Sequence, residues 1–259
     1  MARFRELKAK LAEALAGEDW SERVDGLAGG RPGDLVGPLF QMLLHRDDLV
    51  RWRAAEAFGL VVPALARQDM EAARVVMRQM MWRMNEESGN MGWGVAEAMG
   101  AVMAGHEGLA REYHTILASY VREAGGDICH GNYLDNAALR RGVLWGLGRL
   151  AQARPELARK AMPDLLLVLD PARGVEGKTA AEAVECHDAV SRGLACWVLA
   201  QLARSGDALG PGGRAAVAAR IDDRTGLDLF HGGRLTRTSV GALCRNALEW
   251  LDKRSSDGL

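Results

Sequence analysis

Four stretches of this chain repeat one another, and a helix-sized segment recurring at intervals of about 40 to 50 residues leaves few folds open. The first is Arg51-Trp52-Arg53-Ala54-Ala55-Glu56-Ala57-Phe58-Gly59 and the second Gly92-Trp93-Gly94-Val95-Ala96-Glu97-Ala98-Met99-Gly100. They superpose without a gap, Trp52 on Trp93, Glu56 on Glu97 and Gly59 on Gly100. The third, residues 140–151, matches the fourth, residues 192–203, with Trp145 on Trp197 and Arg140 on Arg192. With Gly59, Gly100, Gly148 and Ala200 as equivalents, the steps are 41, 48 and 52 residues, as in two-helix units whose loops lengthen along the chain. A fainter fifth copy spans 238–251.

Between the copies, residues 34–44, 69–84, 107–123, 155–169 and 212–221 carry apolar side chains at helical spacing. Asp69 can cap the second of these, and Pro155 and Pro163 sit where first-turn prolines are tolerated or a helix is broken. A further helix is expected over 3–16. Aromatic residues make up 5% of the chain and hydrophobic residues 48%, so Ala, Leu, Val and Met must fill the core, a composition that favours helices over strands. Strand signals are nearly absent. The expectation is an all-α superhelix, a solenoid of about five helix pairs, forming one domain over 1–259. Within it, 1–30 is a capping helix and loop, 31–253 the repeats and 254–259 a tail.

The segment Val50-Arg51-Trp52-Arg53-Ala54-Ala55-Glu56-Ala57-Phe58-Gly59 resembles the second helix of HEAT-like repeats of the phycobilin-lyase type, within the ARM-type solenoids. The resemblance covers most of the chain and implies the fold. It does not imply one function, because scaffolds, lyases and hydroxylases share this repeat. Deoxyhypusine hydroxylase is similar in fold but builds a di-iron site from several His-Glu dipeptides, and this chain has only His106-Glu107. No di-iron site is carried over. A bilin lyase with a tetrapyrrole in the groove is open by fold, with no catalytic residue matched. HEAT-like alkylpurine glycosylases need a basic concavity, and here the helix entrances are mixed in sign.

Those entrances are the most informative polar feature, because in HEAT-like repeats the inner-helix N-termini fall on one rim. They read His45-Arg46-Asp47-Asp48, Asn85-Glu86-Glu87-Ser88-Gly89-Asn90, Cys129-His130-Gly131-Asn132-Tyr133-Leu134-Asp135-Asn136, Cys186-His187-Asp188 and His231-Gly232-Gly233-Arg234. His45, Glu86 and Cys186 each precede the aligned anchor residue by 11 positions. Capping preference accounts for Asp47, Asp48, Asn90, Asp135 and Asp188. It does not account for His or Cys. Thiolate and imidazole together suit Zn or another transition metal, making Cys129, His130, Cys186, His187, His45 and His231 candidate ligands. A buried Cys beside a surface His is the plainer alternative. Asn85, Glu86, Glu87, Ser88 and Asn90 form the densest polar group and, with Arg140 and Arg192, are candidate ligand-binding residues. Converging helix N-termini with Arg140, Arg141 and Arg192 would suit an anion, but Glu86, Glu87 and Asp188 argue against a purely anionic guest.

Trp52 and Glu56, like Trp93 and Glu97, stand four apart and share a helix face. The expected role of Trp52, Trp93, Trp145 and Trp197 is packing between repeats, the alternative an aromatic-lined groove. Gly142, Gly146 and Gly148 each cost a helix about 1 kcal/mol relative to Ala, which close helix packing, or less simply backbone approach to a ligand, would explain. Met77, Met80, Met81 and Met84 are expected in the core. The four cysteines show no CxxC pairing, so free thiols are expected.

The 33 Lys and Arg against 34 Asp and Glu give a net charge of −1, so nucleic-acid binding would need a local basic stripe. No apolar run reaches membrane-spanning length, and the N-terminus lacks the pattern of a signal peptide, which makes the cytoplasm the expected setting. The sequence holds no nucleophile motif, Walker loop or dinucleotide fingerprint. These features favour a non-catalytic interaction or scaffold protein binding a partner protein or ligand on its concave face. The alternative is a metal- or cofactor-binding HEAT-like enzyme of lyase or oxidoreductase type, with its site on the inner-helix rim.

Overall fold

Helices form where the apolar spacing places them. A computed structural model of the chain describes residues 2–85, 92–121, 134, 136–169, 188–210 and 212–257. It is mostly helical and divides into two units, residues 1–113 with 230–234 and residues 114–229 with 235–259.

In the first unit, α1 (Ala2–Ala16), α2 (Trp20–Ala28) and α3 (Gly33–Met42) lead to the long α4 (Asp48–Gln68), followed by α5 (Met70–Met84), α6 (Val95–Gly105) and the start of α7 (Glu107–Ser119). Asp47 starts α4 by accepting the amides of Leu49 and Val50 at 2.9 and 3.2 Å. Asp69 ends α4 and caps α5 through the amide of Ala72 at 3.0 Å. Met77, Met80 and Met84 are buried in α5 as core filler, and Met81 is half-buried.

The helices of the first two repeat copies, α4 and α6, run parallel. Gly59 lies against Ala101 and Pro63 against Gly105, the same spacing along the chain in each case. A Cβ placed on Gly59 would sit 2.6 Å from the carbonyl oxygen of Ala101. Pro63 has no N–H to offer the Gly59 carbonyl, and that carbonyl faces α6 at Gly105, where a Cβ would collide with it.

Arg53, 2% exposed, anchors other parts of this unit to α4. Its guanidinium donates to the carbonyls of Leu15 at 2.9 Å, Gly17 at 2.8 Å and Gly233 at 3.2 Å. Beside it Trp52 stacks on Phe230, ring centroids 5.5 Å apart.

The second unit contains α8 (Ala137–Ala153), then α9 (Pro155–Ala158), which passes through a 3-10 turn at Arg159–Ala161 into α10 (Met162–Leu169), and then α11 (Ala189–Arg204), α12 (Gly213–Ala218) and α13 (Val240–Asp257). α8 packs on α11 and α11 on α13, each pair parallel: Arg141 meets Asp188, Trp145 stacks on Trp197, and Gly193 faces Val240. Gly148 shows why a helix here carries glycine, since a Cβ would collide with the Trp197 ring. Close packing, not ligand approach, explains it. Trp145 and Trp197 are buried packing layers, as expected.

Three features depart from the sequence reading. Residues 20–28, assigned to a loop, form α2, which buries Trp20, Val24 and Ala28. The His231-Gly232-Gly233-Arg234 stretch is the turn of a two-stranded sheet, β1 (Gly226–His231) and β2 (Arg234–Ser239), and not a helix entrance. Gly232 and Gly233 have φ of +59° and +77°, the paired left-handed conformation of a two-residue hairpin turn. Cys196 and Cys244, expected as free thiols, form a disulfide between α11 and α13, with Cα atoms 5.3 Å apart and both residues fully buried. The parallel packing of those helices brings residues distant in sequence into register. Among the described residues no helix is long and apolar enough to cross a membrane.

Two stability predictions follow from this packing. Gly59→Ala should destabilise the protein by about 1–3 kcal/mol in urea denaturation, because the new methyl meets backbone, whereas Gly26→Ala in α2, with nothing within 4 Å, should be neutral or stabilising. Cys244→Ser should lower stability by roughly 2–4 kcal/mol, the range for a loop of this length. Reductant should reproduce that loss in the parent protein and leave the variant unchanged.

Candidate binding site

The parallel crossing of α4 and α6 opens a groove at their N-terminal ends, within the first unit. Trp52, Ala55 and Gly59 lie on one face of α4, and Glu97, Ala101 and Gly105 on one face of α6. Where the small residues meet, the helices touch; one turn earlier, the larger side chains line a cavity of about 380 Å³. Its walls are Leu43 and Leu44 after α3, Arg51, Trp52 and Ala55 of α4, and Trp93, Gly94 and Glu97 at the start of α6. Gly94, the residue before α6, has φ of +73°, so the chain turns sharply there and leaves Trp93 outside the helix. That turn distinguishes the second repeat copy from the first, where Trp52 lies inside α4. Trp93 and Leu44 stand at the groove mouth, 42% and 63% exposed.

The electrostatics of the groove are lopsided. Arg51 is already engaged, donating to the His45 carbonyl at 2.9 Å and pairing with Asp48. Glu97 makes no hydrogen bond or ion pair with another described side chain. Burial against the groove walls pushes its carboxyl up to about 7, a rise that the backbone amide at its own position only partly opposes.

The structure describes some of the residues singled out from sequence and not others. Glu86, Glu87, Ser88, Asn90, Cys129, His130, Cys186 and His187 lie outside the described residues. Asn85 is the exposed residue that closes α5, its amide bonded to the carbonyls of Met81 and Trp82. His45 accepts the amide of Asp47 on Nδ1 at 3.1 Å, and His106 accepts that of Leu109 at 3.2 Å. Both therefore act as turn and cap acceptors, which corrects the view that a histidine at a helix entrance lacks that explanation. His231 is exposed at the end of β1. Among the described residues no group of three or more His, Cys, Asp or Glu could hold a metal ion.

Arg140 donates to the carbonyl of Leu134, and Arg192 pairs with Asp223 at 3.3 Å. Arg141 forms a two-pronged pair with Asp188 at 2.9 and 2.7 Å. Burial pushes the Asp188 carboxyl up, but Arg141 and Ser191 outweigh it and hold it below the usual carboxylate range. Among the described residues, the partners given for these arginines all lie within the second unit. Sequence reading favoured packing for Trp52 and Trp93 over an aromatic-lined groove, expected Glu97 to bond a neighbouring loop or Arg, and did not single out Leu43 or Leu44. The Gly92-Trp93-Gly94 triplet, which cannot lie comfortably inside a helix, was the available signal.

No family model matches the sequence, and no curated protein does. A crystal structure of an engineered protein is similar over 95% of this chain and 68% of its own, at 14% identity and a TM-score of 0.32, too loose a superposition to carry an argument.

The raised Glu97 carboxyl has a consequence for stability. Its folded-state pKa of about 7 lies above its ordinary value, so the folded protein holds a proton that the unfolded chain releases. Its contribution to stability therefore falls as pH rises from about 4.5 to about 7. Glu97→Gln should match the parent near pH 4.5 and exceed it by about 1–3 kcal/mol at pH 8, measured by urea denaturation across that range.

Proposed function

We propose that this chain is a non-catalytic interaction protein of HEAT-like helix pairs, acting in the cytoplasm, that binds a partner protein through the α4–α6 groove on the concave face of a solenoid. One observation carries the reading: an exposed Trp and an exposed Leu stand over a cavity floored by a second Trp and a desolvated carboxyl. Large apolar side chains presented around a pocket are the usual anchors of protein recognition, and aromatic residues dominate their energetics. The parallel recurrence of α4 and α6, and of α8, α11 and α13, supports the repeat reading. The Cys196–Cys244 disulfide weighs against the cytoplasmic element, since disulfides concentrate in oxidising compartments.

A photo-crosslinking phenylalanine analogue at position 44 tests the proposal in living cells. One protein should crosslink in high yield, the product should vanish with Trp93→Ala, and the same analogue at exposed position 214 of the second unit should not capture it. Absence of a Trp93-dependent product would sink the interaction reading.

A further inference from the structure

The groove also indicates what chemistry the partner brings. Arg51 and Glu97 are the only charged side chains among the described residues that line it, and they are not equivalent. The Arg51 guanidinium is neutralised by Asp48 and held by the His45 carbonyl. Among the described residues no cation pairs with Glu97. Neither Leu43 and Leu44 after α3 nor Trp93 and Gly94 before α6 can supply one, and α4 adds only Arg51, Trp52 and Ala55. Helix α5, which also packs on α6, contributes nothing to the lining. An anionic guest would meet Glu97 as a like charge in an apolar setting. A purely apolar guest would bury the carboxyl further and offer it no bond.

A cation on a slender apolar stem satisfies every wall at once. Its charge faces Glu97, its stem lies along Leu43, Leu44 and Ala55, and indole rings attract cations. A cavity of about 380 Å³ is large enough for one such side chain. We propose that the groove receives a lysine side chain of the partner protein, with the Glu97 carboxylate as counter-ion to its ammonium. This rests on the interaction reading above and assigns its specificity.

Binding is then coupled to a proton. Below about pH 7 the empty groove holds Glu97 as the neutral acid, and the incoming ammonium, which keeps its own protons, replaces one on the carboxyl. The displaced proton goes to solvent. Apparent affinity should therefore rise about tenfold between pH 6 and pH 8, since the ionised fraction of a group titrating near 7 rises by that factor.

The experiment is a calorimetric titration of the full chain with Nα-acetyl-lysine methylamide, with its norleucine and glutamate counterparts as neutral and anionic controls. The lysine derivative should bind at least tenfold more tightly than either control and show the pH dependence. Glu97→Gln should abolish both the preference and the pH dependence, and circular dichroism should show it folded. Equal binding of norleucine, preference for glutamate, or unchanged lysine binding by Glu97→Gln would each overturn the assignment. Lysine-selective binding without a groove-dependent crosslink would keep the recognition chemistry and remove the interaction function. A groove-dependent crosslink without lysine selectivity would do the reverse.

Discussion

The first unit depends on how closely α4 and α6 approach at Gly59 and Gly105. At that crossing the Gly59 carbonyl lies where a Cβ on Gly105 would be, and Pro63, which withholds the usual helical donor from that carbonyl, packs on the same glycine. Gly59 lies in the interior of α4, where glycine is costly by itself, and the close contact with Ala101 offsets that cost, while Gly105, at the end of α6, leaves room for the Gly59 carbonyl. The consequence appears one turn earlier. Helices this close at their small residues cannot also bury Trp52 and Glu97 completely, and the side chains at their N-terminal ends splay to leave the groove.

Arg53 performs a second positioning role, by a different interaction. A buried guanidinium needs several acceptors, and Arg53 finds them in carbonyls at the end of α1, just beyond it, and in the hairpin turn. It is the immediate neighbour of Trp52, so the guanidinium that ties these segments together also fixes the backbone from which Trp52 projects. The stacking of Trp52 on Phe230 holds one wall of the groove from the same region. The groove is thus set by two kinds of constraint, steric contact at the glycines and hydrogen bonding at Arg53.

Much of the helical content was legible because it rests on local signals. Repeated apolar spacing located α4, α6, α8 and α11, and Asp47, Asp69 and Asp188 behave as the caps their positions suggest. What was not legible depends on pairing across long separations. The β1–β2 hairpin has only two residues at its turn and short alternation in its strands, signals that a helical reading of the surrounding chain overrides. The Cys196–Cys244 disulfide depends on the register of α11 against α13, which cysteine spacing alone does not reveal. The groove was half visible. Trp52, Trp93 and Glu97 were conspicuous as repeated residues, but aligning the copies implied that they share one environment. The left-handed turn at Gly94 breaks that equivalence, placing Trp93 at a mouth and Trp52 on a floor.

The treatment of charge elsewhere in the molecule makes Glu97 stand out. Asp188 is half-buried and held ionised by Arg141, Asp223 pairs with Arg192, and Asp207, 9% exposed, pairs with Arg159. In each case the acid meets a cation, and an unmatched charge in an apolar setting would otherwise shift towards its neutral form. Among the described residues Glu97 differs: burial raises its carboxyl, and Arg51, the guanidinium lining the same groove, is already committed to Asp48. A glutamine would avoid the ionisation cost and fill nearly the same volume. A carboxyl in this setting gains nothing for folding from its charge, and that cost, set beside the apolar walls around it, is the observation from which the proposed lysine guest is argued.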